Sequence, residues 1–119
     1  MDMQGNVGIY AQDRGTSTHV VVIGSSTCPP CMHLQQLLAA MNTELPCDVW
    51  WVDVASIQSD KAEDLQPIAR VLPHVRFTPT LFGVNGKTGA TTAMLSSVPT
   101  TADDVRAMMF RLAIEADAL

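Results

Sequence analysis

The chain is poor in basic side chains, with 7 Lys and Arg against 12 Asp and Glu in 119 residues and a formal net charge of −5. Proteins that bind nucleic acid draw most of their non-specific affinity from neutralising phosphates, so a chain without a basic cluster is not expected to take such a partner. Long hydrophobic runs are missing too. The longest apolar stretches, His19 to Gly24 and Leu45 to Val52, fall far short of the roughly 18 residues a spanning helix needs, and no membrane partner is expected. The opening residues Met1-Asp2-Met3-Gln4-Gly5-Asn6 have neither the basic nor the apolar region of a secretory signal, which points to the cytoplasm. Cysteine is scarce: 3 residues, an odd number too small for the disulfide framework of a small secreted domain. Structural zinc normally takes four ligands, and a single Cys-x-x-Cys does not supply them. No metal or other cofactor is therefore expected, although a metal or iron–sulfur site shared between two chains stays open as an alternative.

What is present suits a packed core. Hydrophobic residues make up 47% and charged ones 16%, and the length fits one domain over residues 1–119. Residues 1–17 hold Gly5, Gly8 and Gly15 around the short apolar patch Val7 to Ala11, and are read as an N-terminal extension or an edge segment. Thr18 to Gly24 is a continuous β-branched run, the pattern of a strand covered on both faces. From Pro29 the spacing turns helical: Leu34, Leu37, Leu38 and Met41 fall on one stripe, which Cys31 joins, while His33, Gln35 and Gln36 lie off it. Cys47 to Val54 reads as a second buried strand, with Trp50 and Trp51 on opposite faces. Strand, helix and strand make a βαβ unit with parallel strands.

Ala55 to Leu72 carries a helical pattern interrupted at Pro67. Leu81 to Val84 and Thr88 to Met94 flank Asn85-Gly86-Lys87, a hairpin signal that makes the last two strands antiparallel. Thr101, followed by Asp103 and Asp104, begins a final helix whose apolar face is Val105, Met108, Met109 and Leu112. The expected fold class is α/β, in the order β, α, β, α, β, β, α, with a central mixed sheet of about four strands flanked by helices.

Two thiols three positions apart, Cys28 and Cys31 of Cys28-Pro29-Pro30-Cys31, stand where the first strand gives way to the first helix. A thiol attacks as its thiolate, and the unpaired amides and positive dipole end of a helix N-terminus lower a thiol pKa there. Cys28 is accordingly the expected nucleophile, exposed at the helix start, and Cys31 the buried thiol that resolves a mixed disulfide. Prolines at the first helical turn remove amides that have no intrahelical partner.

This arrangement resembles the thioredoxin superfamily over roughly residues 18 to 115. Further support comes from Val75-Arg76-Phe77-Thr78-Pro79-Thr80-Leu81-Phe82 followed by Asn85-Gly86-Lys87, which is similar to the family's cis-proline region and hairpin. The resemblance implies the thioredoxin fold and a small thiol–disulfide oxidoreductase of the electron-transport type, reducing disulfide-containing protein substrates and recharged by a reductase. It implies a cis peptide bond before Pro79 and a substrate-binding role for Thr78 and Pro79. Thr27, Pro29, Pro30 and Met94 complete the expected substrate-binding set, with Met32 beside Met94 on a soft apolar surface. A monomer is expected. The chain departs from the family in having Thr27 for the usual Trp, Pro29 for Gly, and Ala93-Met94 where Val-Gly is common. Val20 to Ile23 also stand where a buried acidic residue would assist proton transfer. These departures leave two alternatives: an interaction or assembly module with a vestigial dithiol, and a glutaredoxin-like enzyme. Gly89-Ala90-Thr91-Thr92 stands where glutaredoxins carry Gly-Gly and an acidic pair, which counts against glutathione dependence. Cys47 is read as a packed residue rather than a third redox thiol.

Overall fold

A computed structural model describes residues 7–9, 18–53, 74–96 and 99–119. Its sheet is built from β1 (Val7–Ile9), β2 (His19–Gly24), β3 (Asp48–Asp53) and β4 (Thr80–Val84), in the spatial order β1-β3-β2-β4. Two described helices, α1 (Pro29–Ala40) and α2 (Ala102–Asp117), accompany it, with a short 3-10 turn at Asn42–Glu44. β3 runs parallel to both β1 and β2, whereas β2 and β4 are antiparallel. The sheet is mixed as expected, but its fourth strand comes from the N-terminal segment at one edge, whereas the strand expected over Thr88 to Met94 is not among the four. The expected helix over residues 55–72 lies outside the described residues.

β2 is buried at all six positions, as its continuous β-branched run requires. Strand alternation divides its side chains between two clusters. Val20 and Val22 face Cys31, Leu34, Leu38, Met109 and Leu112, so α1 and α2 both cover this face. Val21 and Ile23 face Val52, Phe82 and Val84 on the other. The adjacent tryptophans split in the same way, Trp51 joining the first cluster and Trp50 packing against the second.

On α1 the buried set is Cys31, Leu34, Gln35 and Leu38, with Met41 buried just beyond the helix and Leu37 only partly covered. Gln35 was expected off the apolar stripe and is instead buried. It lies one helical turn beyond Cys31, and the 31, 34, 35, 38 spacing turns that ridge toward the sheet. α2 matches its expected start: Thr101 Oγ1 accepts a hydrogen bond from the Asp104 amide at 3.1 Å, with Asp103 and Asp104 in the first turn. Its buried ridge is Val105, Met109, Leu112 and Ala116. That ridge comes close to β4 because residue 83 is glycine: a Cβ there would stand 2.6 Å from the Leu112 carbonyl oxygen.

The hairpin after β4 departs from expectation in two ways. Thr88 to Met94 does not form a strand but only one antiparallel bridge, Val84 to Thr91, with a second, Leu81 to Leu95, just beyond it. The turn is also longer than a two-residue Asn-Gly turn, closing through Asn85 N–H to Ala90 O at 2.9 Å and Gly89 N–H to Asn85 O at 2.8 Å. Asn85 decides this. Its Nδ2 donates to the Ala116 carbonyl of α2 at 3.2 Å, while its Oδ1 accepts from the Lys87 and Thr88 amides. Gly89, not Gly86, takes the positive φ of 74° that closes the loop. Beyond it, the Thr92 hydroxyl accepts the Gly83 amide at 2.9 Å, so a side chain replaces a ladder acceptor.

Candidate active site

The sheet brings the site together through strand direction. β2 ends at Gly24 and passes through Ser25 to Thr27 into Cys28, where the Cys28 amide donates to the Ser25 carbonyl at 3.2 Å. β4 runs antiparallel to β2, with Ile23 opposite Thr80. The residues just before β4 therefore arrive at the same end of the sheet as the residues just after β2. That register places Thr78-Pro79 against Cys28 across a sequence gap of 50.

Cys28 is the N-cap of α1, with extended backbone (φ −104°, ψ 108°), and its Sγ accepts a hydrogen bond from the Cys31 amide at 3.3 Å. A charge at that position is stabilised by the hydrogen bond and by the helix dipole together, and both favour thiolate over thiol in the reduced protein. Cys28 and Cys31 are disulfide-bonded, with a Cα–Cα separation of 5.2 Å. Cys31 is fully buried in the cluster of Val22, Leu34 and Leu38. Cys28 was expected to be exposed and is half-buried, because the Thr78 carbonyl oxygen lies 3.6 Å from its Sγ. The Thr78–Pro79 bond is cis.

The expected substrate-binding residues separate into two groups. Thr27, Pro29 and Pro30 are exposed around Cys28, Thr78 is half-buried and Pro79 is buried beneath it. The Thr27 hydroxyl is engaged with Ser25 Oγ at 2.9 Å. Met94 does not join the side of the dithiol. It packs against the opposite cluster with Val75, while Leu95, bridged to Leu81, packs on the face of Cys31. Alternation along this extended segment sends one of the two residues to each face, and Leu95 takes the dithiol face. Met32, weighed beside it, does pack against the cluster containing Cys31.

The remaining candidates fall away from the dithiol or to its edge. His33 is exposed, and its Nε2 lies 3.1 Å from the Thr100 carbonyl, fastening α1 to the segment before α2. Cys47 is a free thiol at the other end of the sheet. Burial pushes its pKa up to about 11, the Asp48 charge adds to the rise, and a backbone hydrogen bond from Val20 opposes it. It lines an open groove of about 850 Å³ with Thr18, Asn85, Lys87, Phe110 and Ile114. Among the described residues no cluster of three or more His, Cys, Asp and Glu side chains could hold a metal ion, and no helix is long and apolar enough to cross a membrane.

One residue was missed. Phe77 is 69% exposed, immediately before the cis peptide unit. The signal available was its place beside Thr78-Pro79, just ahead of β4, where burial in the strand does not claim it.

A dithiol at a strand-to-helix junction, capped by a cis-proline loop from an antiparallel neighbouring strand, is a thioredoxin-like arrangement. Comparison with solved structures bears out the fold. The chain is similar to an uncharacterised thioredoxin-like protein from Clostridium perfringens (TM-score 0.65, 15% identity, covering 94% of this chain and 84% of that one). It is similar as well to the thioredoxin NaTrxh from Nicotiana alata (TM-score 0.60, 14% identity, 95% and 97% covered). A third match is thioredoxin O2 from Arabidopsis thaliana in its oxidised state (TM-score 0.58, 18% identity, 95% and 99% covered). No family model and no curated protein sequence matches the chain. The chain has the thioredoxin fold.

Proposed function

We propose that this protein is a thiol–disulfide oxidoreductase that reduces protein disulfides through Cys28 and Cys31. The observation that carries the reading is the convergence on one sulfur of the α1 N-terminus, the Cys31 amide at 3.3 Å and the Thr78 carbonyl at 3.6 Å. In the reduced protein, the Cys28 thiolate attacks one sulfur of a substrate disulfide. A Cys28–substrate disulfide forms, and the other substrate sulfur leaves as a thiolate that takes a proton. Cys31, one helical turn away, then loses its proton and attacks Cys28 Sγ. The Cys28–Cys31 disulfide forms and the second substrate thiol is released. Two electrons pass from protein to substrate, and an external dithiol reductant must return them for the next cycle. A reducing, cytoplasmic setting with a reductase partner goes with this direction of transfer.

Thr78 serves the same reading through its backbone, which stands beside the reacting sulfur where an extended substrate segment could pair with it. Pro29 and Pro30 stiffen the first turn of α1 and lack amide hydrogens that would otherwise need partners. Insulin reduction driven by dithiothreitol tests the proposal. The wild type is expected to accelerate precipitation of the insulin B chain, and Cys28→Ser to return the rate to background. A wild-type rate equal to that of Cys28→Ser would refute it.

One observation favours a second reading, a binding module whose dithiol is not turned over. On β2, the strand where the enzymes this chain resembles keep a buried acidic residue, Val20 and Val22 stand in the apolar cluster around Cys31. Under that reading the wild type gives no insulin reduction, and replacing both cysteines with Ser leaves partner binding intact.

A further inference from the structure

Phe77 is the most exposed of the large apolar side chains among the described residues, at 69%. Isolated apolar side chains at a surface are ordinary, so exposure alone argues nothing. Its setting is not ordinary. The Phe77 carbonyl accepts a hydrogen bond from the Thr80 hydroxyl, and the following residue places its own carbonyl 3.6 Å from Cys28 Sγ. The Phe77 carbonyl is tied by the Thr80 hydroxyl and the next residue rests against Cys28, so the phenyl ring is displayed from a backbone packed against the dithiol. Adjacent Cα atoms are about 3.8 Å apart, which puts residue 77 one step from the group that touches the nucleophile.

The other side chains around Cys28 sharpen the point. Pro29 and Pro30 are exposed and carry no polar side-chain atom, Pro79 is buried, and the Thr27 hydroxyl is engaged with Ser25. None of Thr27, Pro29, Pro30, Phe77, Thr78 and Pro79 is charged. The side chains beside Cys28 in sequence and those of the loop that reaches it are thus uncharged, and the largest exposed apolar one among them is the ring of Phe77. The nearest charged side chain in sequence is the exposed Arg76.

We infer that Phe77 is a specificity-determining residue that selects polypeptide disulfides bearing an aliphatic or aromatic residue next to the attacked cysteine. This rests on the reductase reading above and goes beyond it, because it names which disulfides are taken. The contact is made as the substrate docks, so it changes the second-order rate constant for peptide disulfides and not the chemistry at Cys28.

The test mixes pre-reduced protein with excess peptide disulfide, without added reductant, so that Cys28 and Cys31 supply both electrons and each protein molecule reduces one peptide. Three peptides differ only in the residue beside the cysteine, Leu, Ser or Asp, and bis(2-hydroxyethyl) disulfide serves as a substrate with no side chain to recognise. The wild type is expected to reduce the Leu peptide about tenfold faster than the Ser peptide, Phe77→Ala to bring the two within about twofold, and Phe77→Leu to restore most of the preference. The rate with bis(2-hydroxyethyl) disulfide should be the same in all three proteins, which also establishes that the variants are folded. An unchanged Leu preference in Phe77→Ala overturns the inference alone, as does a wild-type preference for the Asp peptide that disappears with salt. A wild type that reduces none of these disulfides overturns the reductase reading with it.

Discussion

The two ends of the sheet each carry a cysteine, and they show how much of a thiol's chemistry comes from its surroundings. At the end where β2 and β3 finish, Cys28 caps a helix, takes an amide hydrogen bond on its sulfur and is followed by two exposed prolines, with the Thr78 carbonyl against it. At the end where those strands begin, Cys47 precedes Asp48 in β3 and lines a groove with Phe110 and Ile114. Both thiols have apolar neighbours. Only Cys28 has a helix terminus aimed at its sulfur, whereas Cys47 has burial and a neighbouring carboxylate, which both disfavour its thiolate. The cysteine to watch is therefore the one at the positive end of a helix, not the one that lines the groove.

Selective alkylation probes that contrast most sharply. With a pKa held at about 11, about one Cys47 in ten thousand is thiolate at pH 7, against about one in a hundred for an ordinary thiol near 9.0. In the reduced protein, iodoacetamide should therefore modify Cys28 at least about a hundredfold faster than Cys47, as read by mass spectrometry of the digested protein. Equal rates at the two sites would break the comparison.

A smaller effect belongs to alkaline pH. The folded-state pKa of Cys47 is raised above its ordinary value of 9.0, so the folded protein keeps a proton that the unfolded chain gives up. The stabilising contribution is whole below pH 9.0 and is lost as pH rises toward about 11. Urea midpoints of the wild type should fall through this window more steeply than those of Cys47→Ala, and parallel curves would show that Cys47 is not held neutral by the fold.

The smallest effect concerns Cys28 as a cap. Under reducing conditions Cys28→Ser keeps an acceptor for the Cys31 amide while Cys28→Ala leaves it without one. The Ala variant is expected to be about 1 kcal/mol less stable than the Ser variant in thermal or denaturant unfolding. If the two were equally stable, the sulfur would not be serving as the helix cap.

Legibility followed the range of the forces involved. The continuous run in β2 and the helical stripe of α1 are local patterns, and they were sufficient to bury Cys31 and to put Cys28 at the head of the helix. The cap at Thr101 and the split of Trp50 and Trp51 were equally readable, because capping and strand alternation involve only near neighbours. The hairpin was read less well. Asn85-Gly86 carries the local signal for a tight turn, but the Asn85 side chain is claimed by the Ala116 carbonyl of α2, 31 residues away, and the loop lengthens around it. Met94, expected beside Met32 near the dithiol, packs on the opposite face for a related reason, since Leu95 takes the dithiol side through its pairing with Leu81.

The sequence by itself determined the chemistry: a dithiol at the junction of a buried strand and an amphipathic helix, with one thiol on the apolar stripe and the other at the dipole. Only the tertiary structure decided what faces that dithiol. The antiparallel register of β4 against β2, with Ile23 opposite Thr80, carries Thr78 to Cys28, and no local pattern encodes a pairing between segments so far apart in the chain. The same register leaves Cys28 half-buried under the Thr78 carbonyl, with Phe77 exposed one residue ahead of that contact.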